Sequence, residues 1–212
     1  VKARAIAICM RNHSQQANRE VVEAAARFLG QGVVAVDLAG DEASFPAELF
    51  RDTFALARKH GIPITIHAGE AAGPANIYEA VTRLGAVRIG HGVRLQENPE
   101  VLEIVRERNV PLELCPVSNI QTKAVSGWEA YPIKQYFEQG LTLTVNTDNP
   151  TVSGTTITQE YQTIAEKFHF TLHELAAIVM NGVDAAFLEP REKRILKADF
   201  KRKLGELQIN VL

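Results

Sequence analysis

Six short apolar runs, many of their residues β-branched, recur along the chain with amphipathic stretches between them, and this rhythm constrains the fold more than any other feature. The runs are Ala5 to Met10, Val33 to Leu38, Ile62 to Ile66, Ala86 to Ile89, Pro111 to Leu114 and Leu141 to Val145. Asn18 is placed to cap a helix through Arg27 and Phe28. Pro46 opens another running to Lys59 with Gly61 as its stop, and Asn76 to Leu84 and Pro99 to Arg108 repeat the arrangement. Runs that stay apolar rather than alternating, separated by helices at intervals of roughly 25–30 residues, predict parallel βαβ units buried on both faces. An open doubly wound sheet and a closed barrel share this signature.

The position of the reactive residues separates the two. Asp37 with Gly40, Asp41 and Glu42, His67 with Glu70, His91, Ser118 with Asn119, and Asp148 with Asn149 each follow the apolar part of a strand. The C-terminal strand ends of a β/α barrel converge on one mouth, whereas an open sheet scatters them along an edge. The expected fold is therefore a TIM (β/α)8 barrel. Six strand units fall two short of eight, so the first two are expected to lie outside this chain. Val1 is not an initiator methionine, and the strand pattern is under way by Arg4 to Met10, which reads as a chain beginning inside a domain. Residues 1–212 are then a single domain, the C-terminal portion of the barrel. C-terminal helices complete it: Thr155 to Phe168, then a helix opened by the capping box of Thr171 and Glu174, running through Phe187 and ended by Glu189-Pro190. The basic run Arg191 to Lys203 reads as a solvated helical face.

Charge and composition exclude whole classes of function. A net charge of −2 leaves no basic field to hold phosphate backbones, so no nucleic-acid partner is expected. No apolar run approaches the roughly 20 residues that cross a bilayer. Cys9 and Cys115 lie inside strand runs, where a free thiol behaves as a small buried hydrophobe, and a reducing, cytoplasmic compartment is expected.

The sharpest chemical feature is Ile66-His67-Ala68-Gly69-Glu70. A strand-end histidine offers a neutral imidazole to a divalent metal, and the small residues after it let the turn bring Glu70 back toward the same centre for proton transfer. Taken alone, such a histidine is more often a hydrogen-bonded structural residue. Arg88-Ile89-Gly90-His91-Gly92 supplies a second histidine flanked by glycines that permit close backbone approach to a ligand. Asn146-Thr147-Asp148-Asn149-Pro150 sets a carboxylate after the last strand, although an Asx turn before proline accounts for that motif equally well. Independent structural accidents have no reason to collect at the same end of successive strands.

His67-Ala68-Gly69-Glu70, Arg88-Ile89-Gly90-His91-Gly92, Leu114-Cys115-Pro116-Val117-Ser118-Asn119, Asp37-Leu38-Ala39-Gly40-Asp41-Glu42 and Asn146-Thr147-Asp148-Asn149 together resemble the motifs of the adenosine deaminase family over nearly the whole chain. The resemblance implies a metal-dependent hydrolase barrel that deaminates adenosine and deoxyadenosine to inosine and ammonia. It implies zinc as cofactor, His67 and Asp148 as zinc ligands, Glu70 as proton shuttle to a purine ring nitrogen, and His91 as the group orienting the attacking hydroxide. Gly40 would offer its N–H to the purine and Asn149 would meet the imidazole edge of the base, with a small purine nucleoside as the binding partner. Glu70 must begin protonated for this chemistry. Many members, including the animal enzymes, carry aspartate where Asn149 stands; an amide can donate to a purine nitrogen at any pH.

One departure is larger. The family places a His-x-His pair at the end of its first strand, and no such pair occurs here. His13 reads as a polar loop residue, while His60, His169 and His173 fall in or beside helices. Catalytic zinc takes three protein ligands, so an N-terminal segment carrying His-x-His is expected as the chain's partner, and the chain alone is expected to bind zinc weakly. Other readings stay open: adenine or another purine as substrate, a paired-carboxylate glycosidase built on Glu70 and Asp148, and an inert barrel fragment acting as an association module. Cytidine-type deaminases need Pro-Cys-x-x-Cys, and Cys115-Pro116 runs the wrong way. A two-metal amidohydrolase would want a bridging residue after Val33 to Leu38, where only acids and glycine stand.

Overall fold

The structure, a computed structural model, describes residues 3–209. Its contacts gather into two compact units, Val1–Val110 and Pro111–Leu212. Both are mixed α/β structures in which every strand pair is parallel.

The first unit opens with β1 (Ala5–Met10), α1 (Gln15–Phe28) and β2 (Val33–Ala39). Among the described residues β1 pairs with β2 alone, which explains why the expected buried strand is buried only at Cys9 while Ile8 stays 49% exposed. In β2 the consecutive residues Ala35 to Leu38 are all buried, the Asp37 carboxylate among them, as a strand covered on both faces requires. A short 3-10 turn at Ala47–Phe50 leads into α2 (Arg51–Lys59), closed by Gly61 at φ 66°. Then come β3 (Thr65–Ala68), α3 (Pro74–Glu79) with a π turn at Ala80–Leu84, β4 (Arg88–His91) and α4 (Pro99–Glu107). Val36 bridges β2 to Ile64, and β3 pairs with β4 from Thr65↔Arg88 to Ala68↔His91.

The cap of α1 departs from expectation. Ser14 is the N-cap, its hydroxyl accepting the Ala17 N–H at 3.2 Å. Asn18 lies one turn further in and is buried, its Oδ1 accepting the Met10 N–H at 2.9 Å and its Nδ2 donating to the Met10 carbonyl at 3.0 Å. It fastens α1 to β1. Asn18→Ala takes the acceptor from the Met10 N–H and one of two donors from the Met10 carbonyl, which keeps the His13 N–H at 3.1 Å, and is expected to cost about 1–3 kcal/mol, against about 1 kcal/mol for Ser14→Ala, measured by urea unfolding. Equal costs would contradict the fastening role.

In the second unit β5 (Leu112–Leu114) pairs with β6 (Leu143–Val145) across α5 (Pro116–Gln121) and α6 (Ile133–Glu138). After β6 come α7 (Pro150–Ser153), α8 (Ile157–Phe168), α9 (Leu172–Ala185) and α10 (Pro190–Glu206). Both halves of the Thr171/Glu174 capping box form at the start of α9. That helix stops at Ala185, two residues before Phe187, and Pro190, expected to end it, instead opens α10 at a position where the missing N–H costs nothing. No residue of α10 is buried, as a solvated basic face requires. Asn181 of α9 donates to the Leu143 carbonyl at 3.1 Å, and Lys197 of α10 holds Asp184 at 2.7 Å. Cys9 and Cys115 are buried; burial, with Asp37 adding to it, pushes the Cys9 thiol up to about 12. Among the described residues no helix is long and apolar enough to cross a membrane.

Candidate metal and proton-transfer site

The register of β3 on β4 sets His67 opposite Gly90 and Ala68 opposite His91, so two imidazoles leave neighbouring strands at one end. Their ring centroids are 5.0 Å apart with planes at 67°, and one nitrogen of each ring lies within 4.8 Å of the other. Gly90 makes the room: a Cβ there would stand 3.0 Å from His67 Nδ1 and 3.1 Å from its Cγ. Asp37, buried in β2, brings Oδ2 to 2.8 Å from His67 Nδ1, while its Oδ1 accepts the Leu38 N–H at 2.7 Å. A carboxylate beside one imidazole nitrogen leaves the other as a lone-pair donor of raised basicity, the arrangement found behind metal-ligating histidines.

His91 is buried, and its Nε2 is 3.4 Å from Glu70 Oε2. Its φ of 62° is uncommon for a residue with a side chain. The turn that imposes it is stitched to the turn after β3: Gly92 N–H donates to the Ala68 carbonyl at 3.0 Å and Arg94 N–H to the Gly69 carbonyl at 2.9 Å. Glu70 keeps 24% of its side chain exposed, so it can face a ligand as well as His91. Gly40 follows β2 at φ 102°, a backbone conformation that strains a side chain, and a Cβ there would stand 3.3 Å from the Met10 Cε and 3.5 Å from the Arg11 nitrogen.

Two supporting residues escaped the sequence reading. Arg11, 1% exposed at the end of β1, donates to the Phe45 carbonyl at 2.6 Å and the His67 carbonyl at 2.8 Å, with its guanidinium 5.8 Å over the Phe50 ring. Glu42, 4% exposed, accepts backbone N–H groups from the turn that follows β3. Glu42 belongs to a motif of the sequence without a role of its own, and both residues stand in polar stretches, Arg11-Asn12-His13-Ser14 and Gly40-Asp41-Glu42, where nothing marks them as buried.

The second unit holds the other candidates. Asp148 is exposed at φ 55° after β6, its Oδ2 accepting from the Ser118 hydroxyl at 2.7 Å. Asn149 Oδ1 accepts the Val152 N–H at 3.1 Å as the N-cap of α7, the Asx geometry that proline after asparagine predicts. Asn119 is fully buried and accepts from Cys115 N–H and the Tyr131 hydroxyl. Glu160 is buried too, and desolvation raises its carboxyl above the usual range while the Val117 N–H bond at 3.1 Å opposes that shift. His13, His60, His169 and His173 are exposed, on turns, helix ends or a helix's first turn.

Within the first unit two imidazole nitrogens lie within 4.8 Å of one another, a buried carboxylate backs one ring, and a glycine leaves the cradle that ring needs; this donor chemistry suits a divalent metal, with fewer than the three protein ligands that a catalytic zinc takes. The adenosine deaminase family model matches residues 1–202. An adenosine deaminase of Enterococcus faecalis is 44% identical over 196 residues, 92% of this chain and 58% of that protein. One from Haemophilus ducreyi is 41% identical over 210 residues, 97% of this chain and 61% of that protein. The chain thus spans about six-tenths of the length of these relatives. Among solved structures, an adenine deaminase of Arthrobacter aurescens superposes with TM-score 0.87 at 26% identity, covering 94% of this chain and 61% of that one. An amidohydrolase of Burkholderia ambifaria with bound zinc gives 0.90 at 25% identity, covering 98% and 58%.

Proposed function

The chain belongs to the adenosine deaminase family, and from that premise we propose that the protein it forms part of is a zinc-dependent adenosine deaminase, converting adenosine and deoxyadenosine to the inosine products and ammonia. The observation that carries the reading is the grouping of His67, His91 and Glu70 at the ends of two paired strands, with Asp37 against the His67 ring.

His67 and Asp148 would hold the metal, together with a His-x-His pair from an N-terminal segment that completes a (β/α)8 barrel; residues 1–212 are then the C-terminal portion of one catalytic domain. The greater length of the relatives and the pairing of β1 with β2 alone among the described residues support that segment. Zinc, when bound, would supply a hydroxide nucleophile at neutral pH, because it lowers the pKa of water toward about 7. Glu70 begins as the acid and gives its proton to the ring nitrogen beside the amino-bearing carbon, relieving the negative charge that develops there. His91 orients the attacking oxygen through its Nε2. Gly40 N–H and the Asn149 amide hold the purine.

The test compares zinc content and conversion of adenosine to inosine for this chain with and without the N-terminal segment. Activity and stoichiometric zinc are expected only with the segment. Full activity without it would refute the shared metal site, and none with it would favour an inert association module. Adenine turned over faster than adenosine by the complete protein would move the assignment to adenine deamination.

A further inference from the structure

We propose that Glu42 is a positioning residue that fixes where Glu70 stands by holding the backbone of the loop after β3, with Arg11 as the other half of the clamp. The proposal rests on the role given to Glu70 above.

Residues 69–73 belong to neither β3 nor α3, so their N–H groups have no ladder or helical partner and must find acceptors elsewhere. Glu42 supplies them. Its Oε1 accepts the Gly69 N–H at 2.6 Å, and its Oε2 accepts those of Glu70, Ala71 and Ala72 at 3.0, 2.9 and 3.0 Å. Four consecutive amides thus converge on one buried carboxylate. Arg11 works on the carbonyl side. One arm takes the His67 carbonyl just ahead of the loop, and the other takes the Phe45 carbonyl three residues after Glu42. The segment that carries the clamping carboxylate is thereby tied to the strand that carries His67.

Only an ionised carboxylate meets this demand. It is acceptor-only with about four lone-pair sites, whereas glutamine turns an NH2 against at least one of the four N–H groups. Aspartate keeps the charge but is one methylene short. Either change lets the loop drift, and a displacement near 1 Å at a reacting group costs about 10²-fold in rate.

The test uses Glu42→Gln and Glu42→Asp in the full-length, zinc-loaded protein. Three quantities are read: kcat and KM for adenosine, amide hydrogen exchange, and zinc content. The expected result is a kcat lowered about 10–100-fold with KM and zinc content little changed. Exchange should accelerate at Gly69 to Ala72 while β3 and β4 stay protected, and Glu42→Asp should fall between wild type and Glu42→Gln. Unchanged kcat with unchanged exchange at those amides would overturn the proposal. So would protection lost evenly across the unit, which marks a group that only stabilises the fold. If the wild-type protein does not deaminate adenosine, the functional reading fails, and the exchange arm still decides the clamp. If Glu42→Gln does not fold, wild-type exchange decides: amides 69–72 as slow as β3 support the clamp, and fast exchange refutes it.

Discussion

Glu70→Gln in the complete, zinc-loaded protein is expected to lower kcat for adenosine by about 10²–10⁴-fold while zinc content and the melting temperature stay near wild type. The amide keeps the size of the side chain and its approach to His91 Nε2, 3.4 Å from Glu70 Oε2 in the native protein. What it cannot do is deliver a carboxyl proton to the purine ring as the nucleophile adds. Glu70 is assigned no ligand role, so metal analysis should give the same stoichiometry for variant and parent. The backbone hydrogen bond from Glu70 N–H to Glu42 is untouched by the change, so the loop has no reason to unfold. A variant retaining more than about a tenth of the parental kcat would remove Glu70 from proton transfer, and a loss of zinc in step with the loss of rate would make it a ligand instead.

The same residues show how far the sequence alone reaches. The first strand coincides with its apolar run, Ala5 to Met10, but the third and fourth are displaced toward their C-terminal ends. Ile62 N–H returns to the Ala57 carbonyl to close the turn after α2, Pro63 has no N–H to give, and Ala86 N–H closes the π turn on Ala80. Apolar burial therefore starts before the ladder does, and His67 and His91, which read as residues just past a strand, are ladder residues of β3 and β4. That difference matters chemically, because ladder register fixes the spacing of the two rings. Local signals carried well: the Thr171 capping box needs only residues 171 and 174. Long-range ones did not. Asn18 has the look of a cap, yet its partners are backbone atoms of β1. Glu42 and Arg11 also pair with backbone, between 27 and 56 residues away. A side chain that bonds to main-chain atoms leaves no complementary residue type for a sequence to display, so the gathering of His67, Glu70 and His91 was legible and the parts of Glu42 and Arg11 were not.

Gly90→Ala is expected to weaken zinc binding about 10–100-fold, the range for losing support behind a metal ligand, with a smaller loss of unfolding free energy than Gly69→Ala. Gly90 lies inside β4 without a left-handed φ, so alanine suits its backbone and restricts the unfolded chain. The obstacle is the neighbour. A Cβ would sit 3.0 Å from His67 Nδ1, 3.1 Å from Cγ and 3.2 Å from Cα. The Cα is held by the β3–β4 ladder, so the ring must give way, and its Nδ1 already lies 2.8 Å from Asp37 Oδ2. Twisting the ring to relieve the contact breaks that approach and re-aims the nitrogen that the proposed site assigns to the metal. Gly69→Ala makes the opposite control: at φ 71° with Ile77 in the path of its Cβ, it should damage stability first. Zinc affinity is read by competition with a chromophoric chelator and stability by denaturation of the metal-free protein. Zinc held as tightly by Gly90→Ala as by the parent would mean that the His67 ring does not grip the ion, and the metal site would have to be sought elsewhere.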